Sequence, residues 1–152
     1  MKKAAGLSRG QVMLVLGKIP FFRSFSPDER ERLADESDGF RIAAAGEYVM
    51  RAGQSERSFY ILLSGGLQVS GGTQGTVLAL SPGEVVGEIG FLSGQARTRD
   101  VRATEASILL CIDQDLMARM KAEVREKIKD QLILRLLERL LPAKSASEAQ
   151  AR

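Results

Sequence analysis

"FRIAAAGEYVMRAGQSERSFYILLSGGLQVSGGTQGTVLALSPGEVVGEIGF", residues 40 to 91, is where the period of the chain changes. Short apolar runs alternate there with glycine-containing breaks. Phe59, Ile61 and Leu63 alternate with Tyr60 and Leu62; Leu67 and Val69 follow "SGG"; Val77 and Ala79 follow "GGTQG". Runs of this length, separated by Gly-rich turns at regular intervals, predict an antiparallel meander closing into a roll or barrel. Some of the runs are apolar on both faces, which predicts central strands covered on both sides. Further along, "DVRATEASILLCI" (residues 100–112) supplies two more strand-like runs.

On either side of this region the pattern is helical. "QVMLVLGKI" (11–19) carries apolar residues on one side and ends before Pro20. In "FSPDERERLADES" (25–37), Ser26 has the chemistry of an N-cap and Pro27 suits the first helical position. Asp28 and Glu29 lie where the helix dipole favours negative charge. Phe21, Phe22, Phe25 and Leu33 read as core. "DQDLMARMKAEVREKIKDQLILRLLERLL" (113–141) predicts helix with a break near Met120 and a stop at Pro142. The class is α+β: an antiparallel β-roll (40–113) between N-terminal helices (11–37) and C-terminal helices (114–141). Residues 1–141 form one domain, and 142–152 a polar tail.

Composition sets limits on chemistry. With 44% apolar and 27% charged residues the chain has an ordinary globular balance. A net charge of +3 without a clustered basic footprint does not indicate a nucleic-acid partner. The absence of histidine excludes Ser-His-Asp triads and His-ligated metal sites. Cys111 is the sole cysteine, so no internal disulfide forms, and its place in "SILLCI" reads as a buried, inert thiol. The apolar N-terminal stretch is too short to span a bilayer. A cytoplasmic protein is the expectation, and Met1 with the polar tail suits a complete small protein.

Within the roll, "VVGEIGFLSGQARTRDVRA" (85–103) interrupts the strand pattern. Gly87 to Leu92 suffices for one or two helical turns, which Gly94 can end. Free amides at the start of such a turn attract an anion, and Gly87 and Gly90 carry no side chain to keep one away. Arg97 offers a planar fork suited to two phosphate oxygens. Glu88 would repel a phosphate, and it makes sense where the ligand also brings hydroxyl donors, as a ribose does. The other use for these charges is an internal ion pair between Glu88 and Arg97. Arg51, Arg57, Arg102 and Glu56 read as solvated turn or edge charges.

As a set, "IPFFRSFSPDERERLA", "AGEYVMRAGQSERSFYILLSGGLQV" and "GEIGFLSGQARTRDVRA" resemble the cyclic nucleotide-binding domain family, over roughly residues 12 to 140. That family includes the sensor modules of catabolite-activator-type regulators, cyclic-nucleotide-dependent kinases and cyclic-nucleotide-gated channels. The resemblance implies a phosphate-binding cassette in which Glu88 accepts from the ribose 2′-hydroxyl. Arg97 grips the cyclic phosphate, helped by the amides of Ile89 and Gly90 and by Thr98. Val86 and Ala96 stand where the family often has an aromatic residue and a proline. Arg99 and Asp100 replace smaller residues, so Arg99 either adds charge for the phosphate, pairs with Asp100, or crowds the pocket. The resemblance further implies that the last helix is a lid over the base, with Arg135, Leu136 or Arg139 in contact with it.

The expected function is therefore a sensor for a cyclic mononucleotide, cAMP or cGMP, with no catalytic chemistry, no metal and no resident cofactor. The alternative is a ligand-free scaffold or dimerisation domain of the same fold. Val124, Ile128, Leu132 and Leu136 form one apolar stripe on the last helix; Ile133, Leu137, Leu140 and Leu141 form a second. One stripe suits the roll and the other a partner, either a protein effector or a second copy. After Leu141 this chain has no room for a DNA-reading element.

Overall fold

The computed structural model describes residues 1–71, 75 and 77–141. The expected stop at Pro142 and the polar tail 142–152 lie outside the described residues.

The N-terminal segment begins with a two-residue strand that the sequence did not suggest, β1 (Lys2–Lys3), paired antiparallel with β2 (Phe40–Ala43). Helix α1 (Arg9–Lys18) is capped by the Ser8 side chain, and a 3-10 turn at Pro20–Phe22 follows it. Helix α2 (Pro27–Ala34) starts as its sequence dictates. The Ser26 hydroxyl accepts from the Glu29 amide (3.1 Å) and the Glu29 carboxylate accepts from the Ser26 amide (2.8 Å). This reciprocal capping box satisfies two donors that the helix itself leaves free.

The roll is built from two antiparallel sheets. Its further strands are β3 (Tyr48–Met50), β4 (Ser58–Ser64), β5 (Leu67–Ser70), β6 (Leu78–Leu80), β7 (Val85–Val86), β8 (Asp100–Ala103) and β9 (Ser107–Asp113). One sheet runs β1-β2-β9-β4-β7 and the other β3-β8-β5-β6. Strand β4 is buried along six consecutive residues, Ser58 to Leu63. Its alternate side chains serve two cores. Tyr60 and Leu62 face into the roll beside Leu109 and Cys111 of β9, whereas Phe59, Ile61 and Leu63 face the helices beside Leu110 and Ile112. An apolar run without alternation is what burial on both faces demands. In the "TVLAL" run the buried residue is Leu80, not Val77 or Ala79, both of which are exposed. Cys111 is buried, and burial pushes its thiol pKa up, as suits an inert side chain.

Three helices follow from the second half of the chain. Between β7 and β8 lies α3 (Glu88–Ser93), and after β9 come α4 (Gln114–Arg119) and α5 (Ala122–Leu140), separated at Met120. Val124, Ile128 and Leu132 of α5 join the helix-side core, while Ile133, Leu137, Leu140 and Leu141 of the second stripe are exposed. Phe91 of α3 enters that same core, its ring edge-on to Phe59 at 4.9 Å between centroids. Among the described residues no helix is long and apolar enough to cross a membrane.

Helix α5 is also tied to α2 by charge. The Lys127 ammonium donates to the Glu29 carboxylate at 2.5 Å, and this bond, with the Ser26 amide, holds the Glu29 carboxyl below its ordinary value of 4.5. A carboxyl depressed in the folded state stabilises the fold above 4.5 and loses that contribution as the pH falls through the folded value. The pair is partly exposed, so its worth is below about 1 kcal/mol. Urea denaturation should show Lys127→Met less stable than the parent at neutral pH, with the two curves converging as the solution is acidified well below 4.5. An unchanged gap at low pH would contradict this.

Candidate functional site

The segment from Val85 to Ala103 builds a pocket of about 120 Å³ at the side of the roll. The expected residues Gly87, Glu88, Ile89, Gly90, Arg97, Thr98 and Arg99 all line it. So do Val86 and Ala96, the two departures noted in the cassette, and Met50, Val69 and Val101, which the sequence did not single out as site residues because they lie in strand-like runs. Arg139, near the end of α5, also lines it. Arg135 instead lines the neighbouring cavity, beside Leu78, Leu80 and Pro82, and half-buried Leu136 lines neither.

Helix α3 is bracketed by glycines in the left-handed region, Gly87 at φ +86° before it and Gly94 at φ +74° after it. The latter accounts for the stop expected there. Two further groups hold the far end of the helix. The Arg57 guanidinium donates to the Phe91 carbonyl (3.1 Å from Nη2), and the Gln114 amide nitrogen reaches the same carbonyl at 3.4 Å. Arg57 is therefore more than a solvated charge.

Arg97 is buried at 6% exposure, and its fork points inward. Nη1 donates to the Gly87 carbonyl at 2.8 Å and Nη2 to the Ser58 carbonyl at 2.5 Å, with the Ser58 hydroxyl at 3.3 Å. Its Nε has no partner among the described residues. Ser58 escaped the sequence reading: it opens a strand and nothing local marks it as a partner for a side chain 39 residues away. The Ser58 hydroxyl is held in turn by Glu56, which also accepts from the Tyr60 hydroxyl (2.7 and 3.1 Å). Burial pushes the Tyr60 phenol pKa up, so it remains a neutral donor.

Glu88 is 1% exposed and also lines the pocket. Neither carboxylate oxygen accepts an aligned hydrogen bond among the described residues. The counter-charge nearest to it is Arg139, whose Nη1 lies against Oε1. Glu88 and Arg97 thus do not form the internal pair that would have explained both charges. Asp100 is likewise turned from the pocket: it accepts from the Ala52 amide at 2.8 Å and faces Arg51 at 3.8 Å. Arg99 is left exposed at the pocket wall, unpaired with Asp100.

A buried carboxylate with no aligned hydrogen bond and a buried guanidinium with a free Nε, both lining one pocket with Gly87 and Gly90, can receive a ligand with both hydroxyl donors and an anionic group. No group of three or more metal-binding side chains comes together among the described residues.

Comparison with known proteins points the same way. The family profile described as "Cyclic nucleotide-binding domain" matches residues 40–123, more than half the chain. The cAMP-dependent protein kinase regulatory subunit of Debaryomyces hansenii is 28% identical over 116 residues, which cover 76% of this chain and 25% of that protein. The corresponding subunit of Emericella nidulans is 33% identical over 95 residues (61% and 23%). The cGMP-dependent protein kinase egl-4 of Caenorhabditis elegans is 25% identical over 132 residues (82% and 17%). The chain thus spans a quarter or less of the length of these relatives. Among solved structures, that of Sp-2Cl-cAMPS bound to PKAR CBD2 superposes with a TM-score of 0.69 at 20% identity, over 90% of this chain and 91% of the other. It shares the fold.

The guanidinium leaves no room for side chains at two glycines. A Cβ on Gly90 would stand 2.7 Å from Arg97 Nη1, and one on Gly87 would stand 2.9 Å from it and 3.1 Å from the Ser58 carbonyl. Gly87 also holds a φ that only glycine adopts freely. Gly87→Ala should lose roughly 1–3 kcal/mol of stability through strain and overpacking. Gly90→Ala, whose backbone is unstrained, should lose less and displace Arg97 instead. Chemical denaturation checks the order; equal stability of both variants with the parent would refute it.

Proposed function

Since the chain belongs to the cyclic nucleotide-binding domain family, we propose that it is a sensor for a cyclic mononucleotide, cAMP or cGMP, without chemistry of its own. The phosphate lies against Arg97, whose terminal nitrogens are held by the Gly87 and Ser58 carbonyls rather than free as a fork for two phosphate oxygens, so that the guanidinium supplies fixed positive charge to the pocket lining. The amides of Ile89 and Gly90 and the hydroxyl of Thr98 face the same ligand, with Arg99 adding charge at the rim. The ribose hydroxyl donates to Glu88. The observation that carries this reading is the pair of buried, oppositely charged side chains, Glu88 and Arg97, that share one pocket without neutralising each other.

The reading extends to output. Residues 1–141 act as one unit in the cytoplasm, and occupancy alters the position of α5, which then engages a protein effector or a second copy. Two observations support this. Phe91 of the pocket helix and Val124, Ile128 and Leu132 of α5 belong to one apolar core, so a shift of α3 is felt by α5. The second stripe of α5, with Ile133 and Leu140 at 51% and 77% exposure, is a surface that association would cover. A ligand acts in this way only by binding the two helix positions with different affinity.

Calorimetric titration with cAMP and cGMP tests the sensor. One or both nucleotides should bind, and Arg97→Lys, which keeps charge but loses the two-pronged fork, should weaken binding roughly 10- to 100-fold, the worth of one charge-assisted hydrogen bond. Thermal melting of the variant separates loss of binding from loss of fold. No heat from either nucleotide with a folded parent protein would leave the scaffold as the function. For the output surface, sedimentation should show Leu137→Glu with Leu140→Glu reducing self-association; a parent that is monomeric with and without ligand leaves an effector as the partner.

A further inference from the structure

The pocket carries one guanidinium more than a cyclic phosphodiester needs. The charged side chains that line it are Glu88 of α3, Arg97 and Arg99 ahead of β8, and Arg139 of α5. Arg139 stands against Glu88, so these two charges offset one another. Arg97 and Arg99 remain as two positive charges for the anion, and they are placed differently. Arg97 is buried with both terminal nitrogens on main-chain carbonyls, which leaves only its Nε without a partner among the described residues. Arg99 is exposed at the pocket wall and makes no hydrogen bond or ion pair among the described residues. Its neighbour Asp100 is taken up by the Ala52 amide and by Arg51. The fork that is open to a ligand is therefore that of Arg99.

Glu88 shows a similar surplus. It is almost wholly buried, and neither Oε1 nor Oε2 accepts an aligned hydrogen bond among the described residues. A buried carboxylate has to find donors. A 3′,5′-cyclic nucleotide has only its 2′-hydroxyl to give, because the 3′ oxygen belongs to the phosphate ring. Addition of water across the P–O3′ bond changes both ends of this chemistry at once. The phosphate becomes a terminal monoester with roughly two negative charges at neutral pH. The ribose gains a 3′-hydroxyl beside the 2′. A vicinal diol presents two donors side by side, as a carboxylate presents two acceptors.

We propose, building on the sensor reading above, that the pocket also takes the ring-opened nucleoside 5′-monophosphate, and that Arg99 sets this breadth. The dianionic phosphate lies between the fixed charge of Arg97 and the open fork of Arg99, while the 2′,3′-diol spans both oxygens of Glu88. Two charges meet two, and two donors meet two acceptors; the cyclic nucleotide uses one of each. A terminal phosphate turns freely about its ester bond, so Arg99 reaches it with no rearrangement of the buried arginine. For signalling, hydrolysis of the cyclic ring does not by itself empty the site.

Calorimetry on the full chain compares cAMP and cGMP with 5′-AMP and 5′-GMP. For at least one base, the 5′-monophosphate should bind within about tenfold of its cyclic counterpart. Arg99→Ala should weaken the monophosphate roughly tenfold more than the cyclic form, the worth of one charge-assisted hydrogen bond, and Arg99→Lys should restore part of that loss. The monophosphate alone should bind more tightly as the pH rises through its second ionisation at about 6. Arg99→Ala should flatten that rise, whereas Glu88→Gln should keep it and instead narrow the gap between the monophosphate and its 3′-deoxy analogue. Thermal melting establishes that each variant is folded. A parent that binds the cyclic nucleotides more than about tenfold more tightly than either monophosphate overturns the inference and leaves the sensor intact. Equal losses for both ligand classes in Arg99→Ala do the same. A parent that binds only the monophosphates upholds the inference and removes the cyclic sensor, and a folded parent that binds none of these nucleotides refutes both.

Discussion

The buried guanidinium of Arg97 is the constraint around which the pocket is arranged. Removed from water, its donors require acceptors, and they find two main-chain carbonyls on different elements, Gly87 before α3 and Ser58 at the start of β4. Those bonds fasten the Gly87–Ser93 segment to a central strand. The main chain at the same residue is held as firmly: the Arg97 amide donates to the Gln54 carbonyl, and the Arg97 carbonyl accepts from the Gly53 amide, both at 2.7 Å. Asp100 completes the attachment by accepting from the Ala52 amide. Because the fork lies so close to the backbone of α3, positions 87 and 90 have space only for glycine. Two glycines, one arginine and one serine carbonyl are therefore one device.

Glu88 supplies the opposite charge without cancelling that device. It begins α3, where a carboxylate is favoured by the helix dipole, yet it points to the C-terminal helix rather than to Arg97. The pocket thus has a cationic floor fixed by the roll and an anionic wall fixed in part by α5. The apolar core adds a second link, since Phe91 packs on Phe59 in the same cluster that receives Val124, Ile128 and Leu132.

The departures from the family's usual cassette turn out to be mild for the geometry. Asp100 is absorbed by the turn at residues 51–54, and Arg99 stays in solvent at the pocket wall rather than filling it. The charges read as bland are less so: Glu56 bridges Ser58 and Tyr60 under the arginine, and Arg57 fastens the far end of α3.

Much of this was legible one residue after another. The change of period at Phe40, the Ser26 capping box, the glycines bracketing a short helix and the break at Met120 are local facts, written in propensity, in hydrogen bonds three residues apart and in φ angles open to glycine alone. The order of Gly87, Glu88, Gly90 and Arg97 marked the pocket for the same reason. What adjacency could not encode is which distant group each buried charge would meet. Ser58 and Arg139 look ordinary in their own surroundings, and only the stacking of β4 beneath α3 and the docking of α5 across the roll bring them to Arg97 and Glu88. Burial creates the demand for a partner, but the path of the backbone through space chooses it.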